Sequence, residues 1–158
     1  MPGLAYYITL IALTVIMEAR GEPGLGREMV AHVIVNRIEH SGLDAETVLY
    51  QPGQFAVWAD LELRMRFLRC AAEGRLPQDP WCVGIPGGIS AEDWWSTYGM
   101  ALAVYAGKPE PGGLEGMIYF ANPDFWPEGL PAWLKGDCRQ IGNHRFCRAE
   151  IMGAENGK

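Results

Sequence analysis

The chain has 158 residues, 49% hydrophobic and 20% charged, enough for one domain that buries roughly two-thirds of its unfolded surface. That composition leaves no room for a largely disordered or low-complexity protein. A formal charge of −6, a pI near 5.0 and no Lys/Arg cluster interleaved with aromatics exclude nucleic acid as a partner, since phosphates need a basic face.

The apolar run over residues 4–17, interrupted only by Thr9 and Thr14, predicts a helix over 3–20, opened by Pro2 and closed by Gly21 and Pro23. It is shorter than the about 20 residues that span a bilayer, no basic segment precedes it, and signal cleavage after Gly21 would remove Glu18. It therefore reads as a buried helix, with no stable membrane insertion. Glu18 shares a stripe with Ile11, Thr14 and Val15, which sets its carboxylate at the rim of the core. A second helix over 26–39 is apolar at Val30, Ala31, Val33, Ile34, Val35 and Ile38, with one polar line through Glu28, His32 and Asn36.

Asp44 caps a short helix through Tyr50, and "QPGQF" that follows is a loop. A helix over 59–73 carries Leu61, Met65, Leu68 and Ala72 on one face, with Arg64, Arg66 and Arg69 elsewhere. The stretch "RLPQDPWCVGIPGGI" is a proline- and glycine-rich connection. Ser90 and Asp93 resemble a capping box at the start of a helix that ends at Ala106, before Gly107 and Pro109. From Glu115 the period changes to two: "GMIYFAN" is a strand, and "CRQIGNHRFCR" is a hairpin turning on Gly142 and Asn143. The expected fold class is α+β, mostly α, as a single domain over 1–158 with a small antiparallel sheet near the C-terminus and a flexible end at 153–158.

Counting outward from that turn pairs Ile141 with His144, Gln140 with Arg145, Arg139 with Phe146 and Cys138 with Cys147. The last pair falls on a non-hydrogen-bonded rung, where Cα atoms lie about 4.5 Å apart, within reach of a disulfide. Cys70 and Cys82 flank the loop after the third long helix and form a second candidate pair. Four cysteines fit two bridges or four buried thiols equally.

Several chemistries lack their residues. There is no C-x-x-C or H-E-x-x-H, and His32, His40 and His144 are not at ligand spacing, so no metal and no cofactor is expected. No G-x-S-x-G occurs for a serine hydrolase, and neither Cys147 nor Cys82 stands at a helix N-terminus as a nucleophilic thiol would. Carboxylates concentrate in "MEARGEP". A glutamate with an apolar wall on one side and open space on the other stays protonated near neutral pH and can protonate a glycosidic oxygen. The alternative for Glu18 is a helix-end carboxylate paired with Arg20 or a backbone amide.

"EARGEPGLGREMVAHVIVNRI", "YQPGQFAVW", "MIYFANP" and "IGNHRFCR" together resemble the catalytic domain of SleB-type, spore-cortex-lytic cell wall hydrolases, a family that includes phage endolysins. The four motifs stand in the family's order and are spread over most of the chain, from residue 18 to 148. The resemblance implies a lysozyme-like, lytic-transglycosylase-like fold and cleavage of the MurNAc–GlcNAc bond of peptidoglycan glycan strands with a 1,6-anhydro product. It implies Glu18 as the catalytic acid, and Glu22 as a support for the cleft, a sugar contact or a structural loop anchor. Gln54, Phe55, Tyr119, Asn122 and His144 then line the cleft. Arg20, Asn36 and Arg37 match as well and read as helix-end and loop salt bridges. Trp58, Trp126 and Trp133 are candidate sugar platforms, with core packing the commoner fate of tryptophan.

The expected protein is a bacteriolytic monomer without a repeat-type wall-binding domain. It is made in the cytoplasm without a clear signal peptide, and acts on the bacterial wall after release. Two bridged cysteine pairs fit a cytoplasmic stage poorly. The alternatives are a muramidase that uses water and a non-catalytic wall-binding module.

Overall fold

The computed structural model describes residues 2–76, 79–125, 128–129 and 136–148; Trp126, Trp133 and the end at 153–158 lie outside them. Helix α1 (Leu4–Ala19) is buried at Ile8 and at every position from Leu10 to Ile16. An unbroken buried run of that length leaves no face for water, so α1 is a central helix, and each large aliphatic side chain it buries is worth about 1.5–3 kcal/mol. It is covered by α2 (Gly24–Ser41), α3 (Ala45–Leu49) and α4 (Ala56–Ala59), and by α7 (Ala91–Tyr105), which follows α5 (Leu61–Ala72) and α6 (Pro80–Val83). Among the described residues, no helix is long and apolar enough to cross a membrane.

The polar line of α2 faces the connection after α7. Lys108 meets Glu28 at 2.9 Å, and Asn36 donates to the Glu110 carboxylate and to the Met117 carbonyl. Ser90 Oγ accepts from Asp93 N, but the Asp93 carboxylate turns to Arg27 at 2.8 Å, so only half of the capping box forms and the other half ties α2 to α7. Asp44 accepts from Thr47 N at 2.8 Å, as its capping role requires.

The segment after "QPGQF" departs from the expected single helix over 59–73. Asp60 interrupts it: its Oδ1 accepts from Leu63 N at 3.0 Å and caps α5, while the residues before it close into α4. The buried face is also different. Leu63, Phe67 and Cys70 point inward, whereas Leu61 is 61% and Met65 58% exposed. Both stripes have helical spacing, and tertiary partners choose between them: the Phe67 ring meets Trp58 edge-on at 5.3 Å, and Cys70 is bridged to Cys82. That bridge reaches α6, a short helix inside the stretch read as irregular, with Asp79 as its cap and Pro80 at its first position.

Strands β1 (Met117–Ala121), β2 (Cys138–Ile141) and β3 (His144–Arg148) form an antiparallel sheet in the order β1-β3-β2. The β2–β3 register is the one counted from the sequence, and Cys138 and Cys147 are bridged across it with Cα atoms 4.1 Å apart. Gly142 takes φ 57°, while no described non-glycine residue has a positive φ, the pattern of a type II′ hairpin.

Candidate active site

A cleft of ≈960 Å³ runs between the end of α1, the α4 region and the sheet. That is the size of a site for a sizeable organic ligand. It gathers Glu18, Gln54, Phe55, Tyr119, Asn122 and His144, residues drawn from four separate motifs and more than a hundred positions of sequence.

Glu18 reaches the cleft because α1 carries two hydrogen-bonding groups one turn apart. Thr14 Oγ1, itself donating to the Leu10 carbonyl, accepts from Trp58 Nε1 at 2.8 Å, and Glu18 Oε1 accepts from Val57 N at 3.3 Å. These two contacts hang α4 on the last turns of α1. Burial raises the Glu18 pKa above the ordinary carboxylate value, and the backbone amides of Val57 and Ala56 only partly oppose it. The Trp58 ring is 3% exposed and packs against Tyr50 and Phe67, so it is core and not a sugar platform.

Glu22 is not on the cleft wall. Its side chain is 6% exposed; Oε2 accepts from Asn143 N at 2.9 Å, and Oε1 lies 3.7 Å from His144 Nδ1. A Cβ at Gly142 would overlap the same carboxylate, so the hairpin turn closes directly onto Glu22. Glu22 thus ties the hairpin turn to the α1–α2 junction.

The sheet side of the cleft is aromatic. The Phe120 ring stands edge-on to His144 at 5.3 Å and stacks on Phe146 at 5.8 Å. Burial lowers the His144 pKa, and Glu22 pulls it back up to a lesser degree. His144 is therefore biased toward the neutral ring.

Two cleft residues were missed or misread in the sequence. Asp60 is a second carboxylate on the cleft wall; its signal was an aspartate just ahead of "LELRMRF", where a helix cap belongs. Arg37 has no carboxylate partner among the described residues, contrary to its reading as a salt bridge. Its Nε donates to the Ile118 carbonyl at 2.7 Å, and its guanidinium lies over the rings of Phe55 and Tyr119. Arg20 is exposed and forms no ion pair with a described residue.

The profile of the family described as "Cell Wall Hydrolase" matches residues 21–147. The chain belongs to the cell wall hydrolase family. The matched span takes in every cleft residue named above except Glu18, which precedes it. Among family relatives, the spore cortex-lytic enzyme of Oceanobacillus iheyensis is 31% identical over 144 residues, covering 89% of this chain and 41% of that protein. The spore cortex-lytic enzyme of Bacillus cereus is 27% identical over 143 residues, covering 89% and 44%. The chain thus spans less than half the length of these relatives. The fold is similar to the catalytic domain of the germination-specific lytic transglycosylase SleB from Bacillus anthracis, with a TM-score of 0.56 and 22% identity over 93% of this chain and 97% of that one. This likeness bears out the mostly helical fold with a small sheet at its C-terminal end.

Proposed function

We propose that this cell wall hydrolase domain is a monomeric peptidoglycan glycosidase that cleaves the MurNAc–GlcNAc bond as a lytic transglycosylase, with Glu18 as its acid and base. The observation that carries this reading is the Glu18 carboxyl, its pKa raised by burial, facing a cleft of ≈960 Å³. Protonated Glu18 donates to the leaving glycosidic oxygen. The C6 hydroxyl of MurNAc then closes on C1, and ionised Glu18 accepts its proton, so the substrate supplies the nucleophile and no second carboxylate takes part. Tyr119 and Phe120, both partly exposed, offer ring faces to the sugars, and Gln54 and Asn122 offer amide hydrogen bonds. Action at the wall, outside a reducing cytoplasm, suits a chain with two cysteine bridges.

Mass spectrometry of muropeptides released from purified peptidoglycan tests the reaction: 1,6-anhydro ends are expected. Asp60 favours one second reading, hydrolysis, because it places another carboxylate on the cleft wall with only Oδ1 engaged as a cap. Hydrated reducing ends that disappear in Asp60→Asn, a variant that keeps the cap, are the outcome that would replace the transglycosylase by a muramidase.

A further inference from the structure

A smaller pocket of ≈200 Å³ adjoins the cleft, sharing Arg37, Gln54 and Tyr119 with it and bounded on its own side by His40, Ser41 and Gln51. Arg37 therefore stands at the junction of two spaces. Two other partly buried arginines meet an acid, Arg27 with Asp93 at 2.8 Å and Arg148 with Asp137 at 2.6 Å, while the partly buried Arg64 lies over the Tyr50 ring. Arg37 meets no acid among the described residues, and its Nη1 is buried without a hydrogen-bond partner. The chain has 19 acidic residues against 13 basic ones, so acids are not scarce.

A desolvated cation without a counter-ion is costly. The Phe55 and Tyr119 rings, with centroids 5.0 and 5.5 Å from the guanidinium carbon, return part of that cost through their faces. The rings take none of the guanidinium's N–H groups, and with Nε given to the Ile118 carbonyl the terminal nitrogens remain to bind a carboxylate. Burial lowers the Arg37 pKa to about 10, so the group stays charged at neutral pH. The pocket is smaller than the about 300–1,000 Å³ that enclose drug-sized ligands, which suits one acidic group better than a second run of sugar.

We propose that this side pocket is a carboxylate site in which Arg37 receives the acid borne on the 3-O-lactyl arm of muramic acid while the glycan lies in the cleft. The acid is either the lactyl carboxylate itself or that of an acidic residue in the attached peptide. The inference rests on the reading of the cleft as a peptidoglycan site. It makes Arg37 a specificity residue that separates muramic acid from glucosamine, the two sugars that alternate along the strand.

Titration calorimetry tests it with single-sugar probes that cannot be cleaved: N-acetylmuramyl-L-alanyl-D-glutamic acid and its diamide, and N-acetylmuramic acid and its methyl ester. At least one acid is expected to bind about tenfold more tightly than its neutral form, the worth of one charge-assisted hydrogen bond, and which pair shows the preference identifies the source. Arg37→Gln and His40→Glu should each erase that preference. His40 is exposed and outside the cleft, so its variant remains informative if Arg37→Gln fails to fold. Equal binding of acids and neutral forms, or a preference that survives both variants, overturns the proposal. Cleavage of purified wall by the wild-type protein is scored separately, so loss of the glycosidase reading and loss of this site are distinct results.

Discussion

Glu18 and Glu22 are the same residue one helical turn apart in sequence, and the regions they stand in give them opposite work. At the end of α1, Glu18 accepts one long backbone hydrogen bond, faces the cleft and has its pKa raised by burial. At the α1–α2 junction, Glu22 is closed over by the hairpin, accepts from Asn143 N and neighbours His144. A carboxyl buried on one side and open to a cleft on the other is placed to pass a proton on. One that a turn closes over serves as a strut. Residue type alone does not separate a reactive group from an anchor; what closes over it and which side stays open do.

The comparison is broken most directly by Glu18→Gln. The exchange should reduce lysis of purified peptidoglycan by about 10²–10⁴-fold in a turbidity assay while sedimentation with the wall persists. Retained lysis would remove Glu18 from the mechanism, and loss of both would indicate misfolding. The strut region is tested next by Cys138→Ser with Cys147→Ser. Opening that hairpin crosslink should lower stability by about 2–3 kcal/mol in urea unfolding.

Glu22→Ala should follow, at about 0.5–1.5 kcal/mol, because Asn143 N loses its acceptor at a turn that water can reach. If Glu22→Gln instead abolished lysis with stability unchanged, the two glutamates would exchange roles.

The smallest effects are in pH. Glu18 has a folded pKa above its unfolded value, so its contribution to stability is fully present at low pH and is lost as pH rises through the folded pKa. Glu18→Gln should therefore stabilise the protein at neutral pH and not at pH 4, read as a Tm difference between variant and wild type. His144 runs the other way: its pKa is lowered, so its contribution is present above the unfolded value and is lost as pH falls through the folded one. His144→Gln should flatten the acid side of the stability profile.

Much of this architecture was legible in the sequence, for local reasons. The unbroken apolar run, the Asp44 and Ser90 caps and the turn at Gly142 each depend on contacts within a few residues, so their pattern is written in neighbouring positions. Register followed from the turn, and the register brought Cys138 opposite Cys147. The cleft residues were legible only as motifs of a family, because Gln54, Tyr119 and His144 share no spacing that would bring them together.

What failed to show was set by partners distant in sequence. Two stripes on α5 satisfy a helical period equally, and Trp58 together with the Cys82 bridge turns the Phe67 stripe inward. Arg37 read as a salt bridge until the fold placed aromatic rings beside it and no described acid.

The sequence by itself determined α1, α2, α3 and α7, the hairpin register and the position of Glu18 at the end of a buried helix, because periodicity, capping and turn chemistry are short-range. Only the tertiary structure decided which of two glutamates faces the cleft, that Asp60 joins it there and that Arg37 lacks a counter-ion. Burial and access to the cleft depend on what packs against a residue, and the packing partner of Glu22 is a turn 121 positions away.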